Sequence, residues 1–384
     1  MTDANTQILI TGAGLMTPLG LGREATWQAI LNATCAMAPL SAIESPLNPN
    51  KGGGQCPEID TPKSATPATN ENPDARGSSP VARVSNPCPT AHAFSKQFEH
   101  APREVRYLSR AIREALDHAG LSESIPYPPD RCGIMLGTTL HGMRAAGQYL
   151  RTSDFSFLRH FLANSTLHEA TQGLPFNAFA ATTCSACSSG LGSIALAVTL
   201  LRTGQLDCVI TGGYDTISEY AYAGFNSLRL VAEDAIRPFA RGRQGMKVSE
   251  GYGILILERA DDAARRHATP LARIAGFGES ADAHHLTQPH PQGEGAARAM
   301  RACLEAAGID PQDLSLISAH ATATPDNDAG EYAALAQVFA DRLPDIPVVA
   351  YKSMLGHTLG GAGAVELILN ALALRDQQIP PTCN

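Results

Sequence analysis

Two cysteines stand out as residues whose type and spacing could support chemistry. Cys184 and Cys187 lie three positions apart in ATTCSACSSG, immediately before an apolar stretch that carries no charge until Arg202. A C-x-x-C pair can be a redox dithiol, half of a zinc site, or one reactive thiol beside a second that only packs. The surrounding sequence has to distinguish these three possibilities.

The surroundings favour a single reactive thiol. A closed zinc site needs four ligands, and neither a second C-x-x-C nor a histidine pair lies near this one in the sequence. A redox dithiol is typically exposed in a small thioredoxin-like unit, whereas this pair lies in mid-chain against an apolar helix. Cys187 precedes the residues SSG at a predicted helix start, where unpaired N–H groups and the helix dipole favour a thiolate. Cys184 is interpreted as a packing residue.

Two of the twelve histidines lie where a partner for that thiol is expected. His320 ends the apolar segment LISAH, just before Thr322 and Thr324. His357 lies in KSMLGHTLGGAG, at the head of a second apolar helix. In α/β proteins, sites collect at the carboxyl ends of strands and the amino ends of helices. The sequence therefore predicts a site that combines Cys187, His320 and His357.

The elements that must position these residues alternate between buried strands and helices, which is the pattern of an α/β fold. The predicted strands are ILITGAGLMT, CGIMLGTT, LDCVITGGYD, GYGILILERA, LISAHATAT and PVVAYKS. Two helices that are apolar on nearly every face, CSSGLGSIALAVTLLR and GHTLGGAGAVELILNALALR, echo each other and must both be buried. This echo predicts two similar halves with one central helix in each.

We expect the first half over residues 1–260, with the nucleophile, and the second over residues 261–384, with both histidines. Residues 43–91 are rich in Pro, Ser, Thr, Asn and Gly, which predicts a flexible insertion in the first half. The helix predicted at 102–121 has arginines on its polar side, interpreted as a solvated face, with docking of an acidic partner as the alternative. These arginines are Arg103, Arg106, Arg110 and Arg113.

The first strand also contains a G-x-G sequence, formed by Gly12 and Gly14. Two glycines after a strand can begin a dinucleotide-binding fingerprint. The third glycine of that fingerprint is missing here, and no acidic residue closes a following strand. Dinucleotide binding is therefore not expected.

The overall composition excludes several classes of protein. The 384 residues are 44% hydrophobic and 17% charged, which describes a globular protein with a large core. The net charge of −8, with no dense Lys/Arg stripe, argues against nucleic acid and anionic membranes as partners. No run of about 20 apolar residues occurs and MTDANTQ does not resemble a signal peptide, so we expect a cytoplasmic protein. Nine cysteines, an odd number, form no disulfide framework.

Three ordered motifs resemble those of the elongating β-ketoacyl-acyl carrier protein synthases, which are thiolase-like condensing enzymes. SACSSG at 185–190 is similar to the nucleophile motif T-A-C-S/T-S-G, AHATATP at 319–325 to A-H-G-T-S/T-x-P, and KSMLGH at 352–357 to K-S-x-x-G-H. The resemblance covers nearly the whole chain. It implies a thiolase-like layered αβαβα fold with two similar halves, a homodimer, and acyl carrier protein as partner, without a cofactor or metal.

The resemblance also implies roles for the residues at the predicted site. Cys187 would accept an acyl chain from a carrier-protein thioester. His320 and His357 would promote decarboxylation of a malonyl thioester, because two neutral imidazole N–H donors suit the developing enolate oxygen. The resulting carbanion would then attack the acyl group on the cysteine.

Four further residues match positions of the family motifs or their neighbourhood. Lys352 and Glu331 match a lysine and a glutamate that tune the histidine site, the alternative being a surface charge pair. Thr322 and Thr324 match threonines that bind the phosphopantetheine arm. Ala321 stands where the motif has glycine.

Two functions remain open at this point. The first is an active condensing enzyme of fatty acid, polyene or polyketide synthesis, working as a homodimer or within a ketosynthase heterodimer. The second is a non-catalytic partner subunit in the manner of chain-length factors. The presence of Cys187 with both histidines favours the enzyme, because such partners characteristically lose the nucleophile. No counterpart of the family's G-F-G-G-T-N loop follows PPTCN, which favours the partner.

Overall fold

The computed structural model describes residues 6–42, 52–59, 101–174 and 179–383. The strands are β1 (Ile8–Thr17), β2 (Gly20–Leu21), β3 (Met37–Ala38), β4 (Gly53–Gly54), β5 (Cys132–Gly137), β6 (Phe179–Thr183), β7 (Cys208–Asp215), β8 (Gly251–Arg259), β9 (Ala272–Ile274), β10 (Ile317–Ser318) and β11 (Val348–Val349). The helices are α1 (Arg23–Leu31), α2 (Arg103–Ala119), α3 (Met143–Thr152), α4 (Ala163–Ala170), α5 (Ser189–Arg202), α6 (Glu219–Ser227), α7 (Ala260–Arg265), α8 (Glu294–Ala307), α9 (Pro325–Phe339), α10 (Lys352–Leu355) and α11 (Ala362–Asp376).

A mixed seven-stranded sheet lies at the centre, in the order β2–β1–β8–β7–β5–β6, with β9 also paired to β1. β5 is parallel to β6 and β7, whereas β8 runs antiparallel between β7 and β1. β5 and β7 are buried at every residue, as expected for strands covered on both faces. A smaller parallel sheet pairs β10 with β11.

Helices cover both faces of both sheets. α2 packs on one face of the large sheet. α5 and α11 pack on its other face, where Val198 and Leu369 share a buried cluster with Val349 of the small sheet. α8 and α9 cover the remaining face of the small sheet, where Ile317 packs with Leu335. The layers therefore alternate as αβαβα, which confirms the predicted fold class.

The two glycines of the first strand are explained by helix packing. A Cβ on Gly14 would overlap the carbonyl oxygen of Ala111, and a Cβ on Gly12 would overlap that of Ala115. Any side chain at either position would separate α2 from β1, so glycine is required for this close approach.

Part of the predicted flexible insertion belongs to the fold. β4 pairs with β3, and the buried Cys56 donates its backbone N–H to Oε1 of Glu250 at 2.7 Å. The prediction over residues 43–91 is therefore wrong for residues 52–59, because a hydrogen bond from a distant carboxylate orders a segment with few apolar anchors of its own. The other residues of that range, 43–51 and 60–91, lie outside the described residues.

The carboxylate of Glu250 also binds Arg103, one of the arginines of α2 that were predicted to be solvated. Arg103 is buried and its guanidinium binds Glu250, also buried, and Glu58. The prediction of a solvated face is therefore wrong for Arg103, because a carboxylate held inside the protein requires a cation or several donors. None of the helices in the described part of the chain is long and apolar enough to span a membrane.

Candidate active site

The structure brings Cys187, His320 and His357 together from three separate turns. Cys187 lies between β6 and α5, His320 follows β10, and His357 follows α10. The sulfur of Cys187 lies 3.0 Å from Nε2 of His357. The two imidazole rings meet edge to face, with centroids 5.2 Å apart. One nitrogen from each ring and the sulfur all lie within 4.8 Å of one another, so a single small substrate group can contact all three.

Cys187 and His357 meet because the amino-terminal ends of α5 and α11 lie close together. α5 begins after the cysteine turn, and α11 begins after the Leu359–Gly361 turn that follows His357. A Cβ on Gly190 would lie 2.8 Å from the carbonyl oxygen of Gly360. Because residue 190 is glycine, the turn that contains Gly360 can pack directly against the first turn of α5, which follows Cys187.

The ionisation state of Cys187 differs from the expectation drawn from the helix dipole. Burial raises the pKa of the thiol to about 11, although the nearby Lys352 ammonium lowers it. Two amides at the start of α5 are already used, since the N–H groups of Ser188 and Ser189 donate to carbonyls within the same turn. Burial therefore works against the predicted thiolate, and formation of the reactive form depends on the groups around the sulfur.

Cys184 is exposed in this chain rather than packed. Its sulfur faces the carbonyl oxygen of Thr139 at 3.9 Å. The interpretation of Cys184 as a packing residue is wrong because the turn between β6 and α5 directs this side chain to the surface. Only Cys187 of the pair contacts a histidine.

His357 is held in one orientation by bonds to its backbone and its ring. Its N–H donates to the carbonyl of Lys247 at 2.8 Å, and its carbonyl accepts from Ser249 at 2.9 Å. The N–H of Leu359 donates to Nδ1 of the ring at 3.1 Å. A backbone N–H can only donate, so Nδ1 of the neutral ring is bare and its proton is on Nε2. The Nε2–H group therefore points at the sulfur of Cys187.

Both histidines are neutral at physiological pH. Burial lowers the pKa of His320 to about 3, assisted by the charge of Lys352. The pKa of His357 is lowered well below its usual range by burial, then by Lys352 and by His320. Neutral imidazoles can donate an N–H to an oxygen on which negative charge develops.

His320 lies in a turn that two carboxylates shape. Glu331 accepts the N–H of His320 at 2.5 Å and the N–H of Ala321 at 2.8 Å. Ala321 and Ala323 have left-handed backbone, with φ of 46° and 64°, and Asp328 accepts the N–H of Ala323. The predicted strand over 316–324 therefore ends at residue 318, because left-handed residues cannot continue a strand. A left-handed residue 321 also explains why glycine suits this position.

Lys352 is buried and forms an ion pair with Glu366, with Nζ and Oε1 2.5 Å apart. It is thus not part of a surface charge pair with Glu331, whose carboxylate binds backbone amides instead. Sequence reasoning missed Glu366. Its signal was available, because Glu366 is the one charged residue between positions 362 and 374 of an otherwise apolar helix.

Thr322 and Thr324 lie in the same turn as His320. Their hydroxyl oxygens are 2.8 Å apart and both side chains are mostly buried. The pair thus places two hydroxyl groups two and four residues beyond His320 in the chain.

A thiol with two imidazoles is also a possible zinc ligand set. Metal binding through Nε2 would require the proton of His357 to move to Nδ1. The N–H of Leu359 points at that atom, so the two hydrogens would oppose each other. The hydrogen bond that orients the ring thus makes Nε2 a donor rather than a metal ligand.

Comparison with known proteins identifies the class to which this fold and site belong. The models of the N-terminal and C-terminal domains of β-ketoacyl synthase match residues 5–263 and 271–384. The chain therefore belongs to the β-ketoacyl synthase family.

Individual relatives agree over almost the whole length. The chain is 31% identical to a 3-oxoacyl-[acyl-carrier-protein] synthase 2 of Staphylococcus aureus, over 98% of this chain and 88% of the relative. The solved ishigamide ketosynthase/chain length factor superposes with a TM-score of 0.82 at 28% identity, covering 99% of this chain and 88% of that one. A β-ketoacyl synthase of Burkholderia phymatum superposes with a TM-score of 0.79 at 25% identity, covering 99% and 91%.

Proposed function

We propose that this protein joins an acyl group to the two-carbon unit of malonyl-acyl carrier protein by decarboxylative Claisen condensation. The observation that carries the proposal is the Nε2–H of His357 at 3.0 Å from the sulfur of Cys187, with His320 beside it. This arrangement provides a nucleophile and adjacent donors within the reach of one thioester. Carrier-bound substrates are inferred from the name of the staphylococcal relative.

The first step transfers the acyl group to Cys187. The sulfur attacks the thioester carbonyl of acyl-carrier protein, the bond between that carbon and the carrier sulfur breaks, and the thiol proton ends on the departing phosphopantetheine thiol. The N–H of His357 and the charge of Lys352 both favour a thiolate against the effect of burial. The two groups thus supply the activation that the helix amides do not.

The second step uses both imidazoles on the malonyl thioester. Their N–H groups stabilise negative charge on its carbonyl oxygen while the bond to the carboxylate breaks and carbon dioxide leaves. The enolate carbon then attacks the acyl carbonyl on Cys187, and the sulfur leaves and takes up a proton. Neutral histidines suit this step, because the low pKa values keep them as donors that do not bind the malonyl carboxylate as counter-ions.

The remaining assignments follow from the same chemistry. Burial keeps both imidazoles neutral, and the positive charge of Lys352, which is paired with Glu366, adds to this effect. The hydroxyls of Thr322 and Thr324 are proposed to bind the phosphopantetheine arm. No resident metal or cofactor is needed for these steps. A cytoplasmic setting is supported by the cysteines of the described residues, all of which are free thiols.

A dimer is supported by the exposed edge of the large sheet. Within the described residues β6 is the last strand on its side, and Phe179 on this strand is 63% exposed. Leu162 is 64% exposed and precedes α4, which contacts β6. An unpaired edge flanked by exposed apolar side chains is suited to pairing with another chain. The partner is a second copy or, as in the ketosynthase/chain length factor relative, a related subunit.

The non-catalytic partner subunit is the second candidate function. It is favoured by the similarity to a ketosynthase/chain length factor structure and disfavoured by the complete Cys187–His320–His357 group. The deciding experiment incubates the purified protein with acyl-carrier protein and malonyl-carrier protein and measures β-ketoacyl product by mass spectrometry. Product formation that requires Cys187 supports the enzyme. Its absence, together with binding to a separate ketosynthase, supports the partner subunit.

A further inference from the structure

Asp215, at the carboxyl end of β7, is a buried carboxylate that sequence reasoning did not connect with the site. Its two oxygens accept four hydrogen bonds. Oδ1 accepts from the hydroxyl of Thr138 at 2.7 Å and from the N–H of Leu140 at 3.0 Å. Oδ2 accepts from the N–H of Thr139 at 2.9 Å and from the N–H of Gly360 at 2.7 Å. The carboxylate thus ties the loop after β5 to the turn that follows His357.

That turn has an unfavourable backbone conformation. Leu359 is fully buried and has a φ of 53°, a left-handed value that is unfavourable for an L-residue. Residues with this conformation persist where surrounding contacts fix them. The N–H of Leu359 donates to Nδ1 of His357, and the next N–H along the chain, that of Gly360, donates to Asp215. Asp215 therefore holds the residue next to Leu359, and the N–H of Leu359 determines the tautomer of His357.

We propose that Asp215 is a positioning residue that keeps His357 in the Nε2–H tautomer. It holds the amide of Gly360, which fixes Leu359 with its N–H on Nδ1, and the imidazole proton is thereby directed at Cys187 and at the substrate oxygen. Asp215 touches neither the sulfur nor the imidazole and acts only through the turn. The inference deepens the proposed condensation, and its primary test reads the tautomer without any reaction.

A carboxylate is required at this position because all four groups that face it can donate, and three of them are backbone amides that can only donate. Asparagine has the same shape but only one accepting oxygen, and its NH₂ group would oppose two donors. Asp215→Asn should therefore release either Gly360 or the loop at residues 139–140. Thr138→Val is the matched control, because it removes one hydrogen bond from the same carboxylate without touching the link to Gly360.

The test measures the ring nitrogens of His357 by NMR in protein labelled with ¹⁵N-histidine, assigned by comparison with His357→Gln. The parent and Thr138→Val should show a proton on Nε2 and a bare Nδ1. Asp215→Asn should show a mixture of tautomers. A parent with its proton on Nδ1 overturns the proposal, and so does the parental tautomer in Asp215→Ala, which has no oxygen left to hold Gly360, whatever its activity.

Two further readouts separate positioning from a general loss of structure. Malonyl decarboxylation by Asp215→Asn should fall by about 10²-fold, the size of losing one oriented donor. Acylation of Cys187 should fall by a smaller factor, because the charge of Lys352 still favours the thiolate. Zn²⁺ at a concentration that leaves the parent active should inhibit Asp215→Asn, since a released ring can offer Nε2 as a ligand. Equal losses in both half-reactions without zinc sensitivity would indicate a structural role only and contradict the proposal.

If Asp215→Asn does not fold, Asp215→Ala refolded with and without formate replaces it. Formate can supply two accepting oxygens to the space left by the side chain. Recovery of the single Nε2–H tautomer with formate supports the proposal. A tautomer mixture that formate does not change contradicts it.

Discussion

Nε2 of His357 lies 3.0 Å from the sulfur of Cys187, although 170 residues separate them in the chain. The contact joins the turn before one central helix to the turn before the other. It explains how a thiol whose pKa is raised by burial can still react, because a fixed N–H donor and a buried ammonium act on the same sulfur.

Acyl transfer should occur on Cys187 alone. After incubation with acyl-carrier protein, the parent and Cys184→Ala should each gain one acyl group by intact-protein mass spectrometry, whereas Cys187→Ala should gain none. Cys184 is exposed but touches neither histidine, so exposure without these contacts should not suffice. A stable acyl adduct on Cys187→Ala would contradict the assignment of the nucleophile.

The two histidines should separate the half-reactions. His320→Ala and His357→Ala should each retain measurable acylation but lose malonyl decarboxylation by about 10²- to 10⁴-fold, the usual effect of removing an oxyanion donor or acid–base group. Release of carbon dioxide from malonyl-carrier protein is the direct measurement. Cys187→Ala should continue to release carbon dioxide without forming product. Decarboxylation at the parental rate in both histidine variants would refute their role.

Removing one partner of the Lys352–Glu366 ion pair should lower the free energy of unfolding more than replacing both partners with apolar residues. Lys352→Met leaves the carboxylate of Glu366, whose side chain is 13% exposed, without its cation, which should lower the free energy of unfolding by roughly 3–5 kcal/mol. The double variant Lys352→Met/Glu366→Leu should be more stable than Lys352→Met by about 1–3 kcal/mol. Urea unfolding of the two variants and of Glu366→Leu gives the coupling energy. Additive effects would show that the pair is not coupled.

The free energy of unfolding should decrease as the pH falls below about 6.5, the pKa of an unfolded histidine. Burial lowers the pKa of His320 to about 3 and that of His357 well below its usual range, so between these values only the unfolded chain binds the protons. Each histidine then contributes a loss of roughly 1.4 kcal/mol per pH unit. This stability is fully present above pH 6.5.

Urea midpoints measured between pH 7 and pH 5 test that dependence. His357→Gln should reduce the slope by about one proton. His267→Gln, which changes an exposed histidine, serves as the control and should leave the slope unchanged. An identical slope in the parent and in His357→Gln would show that this ring is protonated in the folded protein.

A charge on the edge strand should disrupt the proposed dimer. Phe179→Asp places a carboxylate on the exposed side of β6 and should shift the protein toward a monomer in analytical ultracentrifugation. Leu286→Asp is a matched control, because Leu286 is 96% exposed and lies in the loop between β9 and α8, which is far from β6 in the sequence. Dissociation by Leu286→Asp but not by Phe179→Asp would place the interface elsewhere.

The α/β class, the two central helices and the meeting of Cys187, His320 and His357 could all be predicted from the sequence. Strands such as β5 and β7 are continuous apolar runs, and α5 and α11 are apolar on nearly every face, so local pattern and burial agree. The motifs around Cys187, His320 and His357 also indicated which residues would meet. These features are local, because each depends on residue types within a few positions of one another.

Features that depend on long-range contacts were decided by the tertiary structure. The solvation of Arg103 was predicted wrongly because its partner Glu250 is 147 residues away. The pKa of the Cys187 thiol is raised by burial, which depends on the packing of distant segments. The pairing of Lys352 with Glu366 likewise exists only in the folded chain. The tautomer of His357 is set there by the N–H of Leu359, which donates to Nδ1. Sequence spacing identified the groups that could react, but their charges and protons are set by desolvation and by hydrogen bonds that exist only after distant segments have packed together.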